Sequence, residues 1–302
     1  MEATTPSKAG MKNKTIKLKI KKKLDDWIDS IDCEDTRDIV KKNAIVTGGS
    51  IASMAMGDQV NDYDIYMRTK EATVALAEYY ISKGEGLTAS EMKVEVGEVE
   101  NIKGESEERV RVVIESSGVA SEAPEEECFD EDILEPFDDE DEGEKYRPVF
   151  ISENAITLSH SVQIITRFFG EPDKIHDNFD FIHAMCYYDL SKNSLSMPIE
   201  AVRSMQSKSL YYKGSLYPLC SLFRMRKFIK RGWKISAGEI LKIAMQISVI
   251  DLKDRKILRE QLTGVDQLYF NYLYDAIDSI EGDITDTYVA EIIDRIFGDH
   301  NC

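Results

Sequence analysis

Asp62 and Asp64 are separated by one residue and follow a glycine pair in the stretch Gly48-Gly-Ser-Ile-Ala-Ser-Met-Ala-Met-Gly-Asp-Gln-Val-Asn-Asp-Tyr-Asp-Ile-Tyr-Met67. On a strand, residues i and i+2 project from the same face, so the two carboxylates can hold hard divalent cations between them while Tyr63 and Ile65 point the other way. This is the donor arrangement that two-metal phosphoryl transfer uses. Gly48 and Gly49 allow a sharp turn and close approach to a ligand, and the short helix that follows offers its first amides to an anion. A triphosphate fits between these two elements, with Ser50 placed to donate its hydroxyl to a phosphate oxygen. An EF-hand reading of Asp58, Asp62 and Asp64 fails, because the loop lacks that motif's glycine and closing glutamate.

Periodicity indicates the elements that carry these residues. The apolar stripe Leu24, Trp27, Ile28, Ile31 and Ile39 predicts a helix over Leu24 to Lys42. Strands are expected over Asn43 to Gly49, a short apolar run ending in two glycines, and over Asp62 to Met67, with a short helix, Ile51 to Met56, between them. A helix follows over Lys70 to Lys83. Alternating residues between Met92 and Glu115 predict two edge-type strands joined near Lys103-Gly104, and further strands are expected at Val149 to Ile151, Ser161 to Arg167 and Phe179 to Tyr188. Beyond Pro198 the pattern is helical, over Ile199 to Gln206, Pro218 to Arg231, Ser236 to Val249, Asp251 to Leu262, Val265 to Ser279 and Asp286 to Phe297. Ser236 and Glu239 form a capping-box pattern.

Charge is segregated along the chain. The 302 residues carry 38 basic and 56 acidic side chains, a net charge of −18. Fourteen of the acids, with no Lys or Arg among them, fall between Glu122 and Glu144. That stretch also carries Pro124 and Pro136 and is read as a disordered insertion over residues 118–145. Eight lysines and no acids lie between Lys8 and Lys23, so residues 1–23 are read as a basic flexible arm. No apolar run of membrane-spanning length exists and the N-terminus is polar, so a soluble, cytoplasmic protein is expected. Five scattered cysteines without a CxxC argue for ordinary thiols, and the four histidines lack zinc spacing.

The GG, short helix, Gly57, D-x-D succession resembles the polymerase-beta-like nucleotidyltransferases, most of all the head domain of bacterial poly(A) polymerases and CCA-adding enzymes. Gly48, Gly49, Gly57, Asp62 and Asp64 match that spacing. Asp180-Phe-Ile-His-Ala-Met-Cys-Tyr-Tyr-Asp189 is similar to the family's D-F-T-I-N-A-L-x-Y-D segment, and the resemblance makes Asp180 the candidate third carboxylate. Leu222-Phe-Arg-Met-Arg-Lys-Phe228 looks like the family's L-L-R-A-I-R-F and puts Arg224 and Lys227 on its two basic positions. On a helix these two fall on a cationic stripe with Arg231, beside an apolar stripe of Leu222, Met225 and Ile229. One departure stands out: the family commonly has an Arg-Asp pair in the helix after GG, where this chain has Ala52-Ser53.

The resemblance implies an α+β fold. Residues 24–197 would form a nucleotidyltransferase mixed sheet flanked by helices, interrupted by the acidic insertion, and residues 198–302 an all-helical domain. It implies transfer of a nucleoside monophosphate from a nucleoside triphosphate to an acceptor hydroxyl, an RNA 3′ end. Asp62, Asp64 and Asp180 would hold two magnesium ions, and Gly48, Gly49, Ser50, Arg224 and Lys227 would contact the nucleotide. Two rival readings are a catalytically silent fold used for binding and transfer to a non-RNA acceptor. His183 is read as a packed core histidine. The acidic insertion is a candidate mimic of nucleic acid that covers the basic stripe.

Overall fold

The computed structural model describes residues 10–83, 92–100, 106–114 and 145–262. The fold is mixed α+β, and the chain divides into two units that meet in sequence at Ser207 and Lys208. Residues 118–144 of the acidic insertion and the helices expected beyond Leu262 lie outside the described residues.

The first unit opens with helix α1, Asn13–Asp29, and helix α2, Glu34–Asn43. This corrects two expectations. Residues 13–23 are helical where a flexible arm is expected, because Ile16 and Ile20 extend the four-residue spacing of Leu24 and Ile28 by two turns and are fully buried. The helix expected over Leu24 to Lys42 breaks after Asp29, where Ser30 donates from its hydroxyl to the Trp27 carbonyl and Ile31 turns into the core. Trp27 Nε1 donates to the Tyr80 hydroxyl at 2.7 Å, which fixes α1 to a later helix.

Strand β1, Ala44–Thr47, is wholly buried and runs into helix α3, Gly49–Met56. Strand β2, Tyr63–Met67, and helix α4, Lys70–Lys83, follow. Strands β3, Met92–Glu100, and β4, Ser106–Ile114, pair antiparallel as a separate ribbon. The chain re-enters the main sheet through β5, Pro148–Ile151, β6, Ala155–Leu158, and β7, Val162–Ile165. Helix α5, Pro172–His176, then leads to β8, Tyr187–Asp189, β9, Ser194–Ser196, and helix α6, Ile199–Ser207.

The main sheet has seven strands in the order β5-β6-β7-β2-β1-β8-β9. β2 and β7 run parallel, and every other neighbouring pair is antiparallel. The strand expected over Phe179 to Tyr188 shrinks to β8. Asp180 therefore lies at a bend ahead of a 3-10 turn, Ile182–Ala184, and not on a strand. The physical reason is local: Asp180 Oδ1 accepts the Phe181 N–H at 2.9 Å, a side-chain bond that takes the donor a ladder would use.

The middle strands end in a charged clasp. β2 and β8 both run antiparallel to β1, so Arg68 and Asp189 meet beside Ala44. Arg68 donates to Glu171 Oε1 at 2.6 Å and to Asp189 Oδ2 at 2.7 Å. Asp189 Oδ1 also accepts from the Ser191 hydroxyl at 2.7 Å and from the Lys192 N–H at 3.2 Å. Burial pushes the Asp189 carboxyl pKa up, but these bonds and the charge of Arg68 outweigh it and hold the pKa below the usual carboxylate value.

The second unit contains β10, Ser209–Leu210, helix α7, Pro218–Lys230, β11, Lys234–Ile235, helix α8, Ala237–Ile247, and helix α9, Arg255–Leu262. Among its described residues the regular structure is helical except for the short parallel pair of β10 and β11. Ser236 caps α8 by accepting the Glu239 N–H at 3.3 Å. The Glu239 carboxylate does not close the box: it accepts the Tyr212 N–H at 2.7 Å and pairs with Lys242.

Candidate functional site

Thr47, the last residue of β1, is buried and held from three sides. Its hydroxyl donates to the Cys186 carbonyl at 2.9 Å and lies 2.8 Å from His176 Nε2. The hydroxyl's one proton is used on the carbonyl, so the imidazole is the donor in the second bond. The next residue, Gly48, has φ +104° and donates its N–H to the Ala184 carbonyl at 3.2 Å. The glycine turn is thereby tied to the 3-10 turn that follows Asp180.

Gly48 is required twice over. Its φ lies where L side chains rarely sit, and a Cβ there would stand 2.5 Å from Asp64 Oδ2. The Asp64 carboxylate is thus packed directly against the glycine turn. A Cβ on Gly49, in contrast, would meet nothing within 4 Å. Ser50, in the first turn of α3, is 4 % exposed, and its hydroxyl has no hydrogen-bond partner among the described residues. A buried hydroxyl without a partner is energetically unfavourable, and an oxygen acceptor arriving at the open glycine would relieve that.

The structure brings Gly48, Asp64 and the turn after Asp180 together at one end of the sheet. Asp62 immediately precedes β2 and is exposed, with Tyr63 N–H bonded to the Ser161 carbonyl at 2.9 Å. Asp180 is buried beside His183, whose ring burial drives to a pKa of about 4, although the Asp180 charge works in the other direction. The core reading of His183 stands, since it is 1 % exposed. Ala52, where the resembling family has arginine, is buried.

Arg224 and Lys227 lie on α7 in the second unit, the first half-buried and the second exposed. The apolar stripe expected beside them is not the packed face. α7 buries Pro218, Cys220 and Ser221, while Ile229 is exposed. Cys220 Sγ donates to the Gln261 carbonyl, and Gln261 Nε2 returns a bond to the Leu216 carbonyl.

Among the described residues, no group of three or more His, Cys, Asp or Glu side chains is placed to hold a metal ion. Asp62 and Asp64 are hard oxygen donors all the same. Magnesium is usually held by one or two carboxylates, with waters and substrate phosphates completing the octahedron, so the Asp64 carboxylate on the glycine turn is of the chemical kind that magnesium takes, while Asp62 stands just outside β2. Sequence reasoning missed Thr47 and His176, which brace the turn from behind. It also missed Lys23, which donates to the His160 carbonyl and lies over the rings of Tyr63 and Tyr146. These interactions join distant segments and have no signature in residue spacing.

A mixed α+β protein with a glycine turn packed on a carboxylate is the class that fold and site define. The chain belongs to the Gabija anti-defense 2 family, whose model, described as "Gad2: Gabija anti-defense 2 family protein", matches residues 18–208. It is 20% identical over 266 residues to "Gabija anti-defense 2" of Bacillus phage SPbetaL7, covering 87% of this chain and 51% of that protein. The chain thus spans about half the length of this curated relative. Among solved structures, it is similar to a Thermotoga maritima CCA-adding enzyme complexed with tRNA, at 12% identity and a TM-score of 0.42, over 95% of this chain and 67% of that one. A CCA-adding enzyme in complex with CTP is similar at 12% identity and a TM-score of 0.43, over 96% of this chain and 70% of that one. Among the described residues, no helix is long and apolar enough to cross a membrane.

Proposed function

We propose that this chain is a magnesium-dependent nucleotidyltransferase that moves a nucleoside monophosphate from a nucleoside triphosphate to an RNA 3′ hydroxyl. We propose further that this transfer is how it opposes the Gabija defence for which its family is named. The supporting observation is the turn at Gly48, where one glycine is pressed on the Asp64 carboxylate and the next faces open space beside the Ser50 hydroxyl, which has no partner among the described residues.

In this reading the first amides of α3 and the Ser50 hydroxyl bind the β and γ phosphates, and the absence of a side chain on Gly49 lets them approach. Asp62, Asp64 and Asp180 are the carboxylates that would hold magnesium. Bound magnesium would neutralise the triphosphate and lower the acceptor hydroxyl's pKa. The acceptor hydroxyl gives up its proton to solvent, its oxygen forms a bond to the α phosphorus, the bond from that phosphorus to the bridging oxygen breaks, and pyrophosphate leaves with the electron pair. Arg224 and Lys227 are the cationic groups that this reading assigns to the nucleotide. No cysteine or histidine nucleophile is called for, which suits a Cys186 thiol that burial pushes up to about 12.

A second reading, nucleotide binding without catalysis, is favoured by the lack of a three-ligand group among the described residues and by Ala52-Ser53 in place of Arg-Asp. One experiment separates the two: purified protein, magnesium, each α-labelled triphosphate in turn and a small-RNA pool. Label on RNA that Asp64→Ala abolishes supports transfer. Label on protein changes the acceptor. Saturable nucleotide binding with no labelled product supports the silent reading.

A further inference from the structure

Helix α1 carries its charges in the order opposite to the one its dipole favours. A helix is stabilised by acids near its N-terminus and bases near its C-terminus, each by roughly 0.3–1 kcal/mol. α1 has no acid in its first turn and no base in its last. Lys12 and Lys14 stand at the amino end, and Asp26 and Asp29 at the other. Such an arrangement does not serve the helix itself, and departures from local preference of this kind concentrate at functional surfaces.

The helix is fixed in place. Its apolar stripe is buried, it packs against α2 and α3, and just before it Met11 N–H donates to the Met54 carbonyl at 3.0 Å, at the far end of α3. Gly10 lies so close to α3 that a Cβ there would fall 1.9 Å from the Ala55 carbonyl oxygen. The lysines Lys12, Lys14, Lys19 and Lys22 are exposed, and no ion pair holds them among the described residues. A basic array on a rigid helix, rather than a loose arm, thus adjoins the helix that the glycine turn opens.

We propose that the outer face of α1 is a docking surface for the phosphodiester backbone of a single-stranded nucleic acid, held through Lys12, Lys14, Lys19 and Lys22. The partner must be polyanionic because the face is cationic, and extended because a helix rises about 1.5 Å per residue, which spreads Lys12 to Lys22 over about 15 Å. It is not a lipid surface: membrane-surface helices bury a broad apolar face in the bilayer, whereas the apolar stripe of α1 is already buried in the protein and leaves Leu18 as its one exposed large apolar side chain. Identifying the docked strand as the acceptor rests on the nucleotidyl-transfer reading. The binding surface does not depend on it.

The test uses the full chain and a fluorescent single-stranded RNA, with anisotropy read across a salt series. The triple variant Lys14→Ala, Lys19→Ala, Lys22→Ala should bind at least tenfold more weakly at low salt. Its slope of log affinity against log salt should shrink by about 2, at about 0.7 for each phosphate that is no longer neutralised. Because alanine favours helix and the substitution removes the inverted charge at Lys14, its Tm should stay the same or rise. The double variant Lys41→Ala, Lys42→Ala on α2 should leave both affinity and slope unchanged. Equal affinity of the triple variant and wild type, an equal loss in the α2 variant, or binding to anionic vesicles in place of RNA would overturn the inference. Loss of transfer in Asp64→Ala with RNA affinity kept would leave the docking surface intact, so the two readings fail separately.

Discussion

The strands β1, β2 and β8 finish very differently at their two ends. At one end Arg68, Glu171, Asp189, Ser191 and Lys192 satisfy one another, and little is left for an outside group to bind. At the other end the glycine turn presses on Asp64, Gly49 faces open space, and the Ser50 hydroxyl is buried without a partner among the described residues. A buried hydroxyl left over in this way is costly to the fold unless a group from outside meets it. The closed end holds the sheet together, and the open end is the one that the proposed function assigns to a ligand.

Substitutions at four positions can break or sharpen that contrast. The largest effect belongs to the open end: Asp64→Ala should reduce nucleotidyl transfer about 10³-fold or more, the scale of losing one electrostatic contributor to phosphoryl or acyl transfer, with thermal unfolding unchanged. At the closed end, Asp189→Ala should cost about 3 kcal/mol in denaturant unfolding, because it leaves Arg68 half-buried without its innermost partner. The folded Asp189 pKa lies below 3.8, so its contribution is present above that pH and drains away as pH falls through the folded value. The acid limb of wild-type stability should therefore be steeper than that of Asp189→Asn.

His183 gives a third handle. Its folded pKa is about 4 against an ordinary 6.5, so the unfolded chain binds its proton first on acidification. The contribution of a neutral His183 to stability is thus present above pH 6.5 and should be lost, by about 3 kcal/mol, as pH drops to about 4. His183→Gln should flatten that stretch of the curve, measured by denaturant midpoints at a series of pH values. The smallest effect discriminates most. Gly49→Ala, with no neighbour for its methyl, should keep the wild-type Tm yet weaken triphosphate binding about tenfold, about 1.4 kcal/mol. Unweakened binding in titration calorimetry would remove the open end's claim to the phosphates.

Much of the open end was legible in the sequence, for identifiable reasons. Gly48 announces itself because only glycine suits φ +104° against a carboxylate, and Ser236 because a cap acts within four residues. The helix α1 could also have been read: Ile16 and Ile20 carry the same period as Leu24, but the lysines around them masked it as an arm. What was not legible came from interactions between distant segments. Asp180 sits at a bend because its own carboxylate captured the Phe181 amide, and no alternation of residues encodes that. The Arg68 clasp joins segments far apart in the chain, and the stripe on α7 misled because a buried Pro218, Cys220 and Ser221 look less apolar than the exposed Ile229.

The parallel pairing of β2 with β7 has a consequence for how the protein comes into being. Tyr63 finds its neighbour at Val162, about 100 residues later, and Thr47 waits for Tyr187. At a synthesis rate of about 5–20 residues per second, the β1–β2 hairpin emerges from the ribosome some 5–20 seconds before either flank can be covered. For that interval two strand edges stand bare in a crowded cell, open to pairing with another nascent chain. The aspartate strand is made well before the strand that shelters its outer edge.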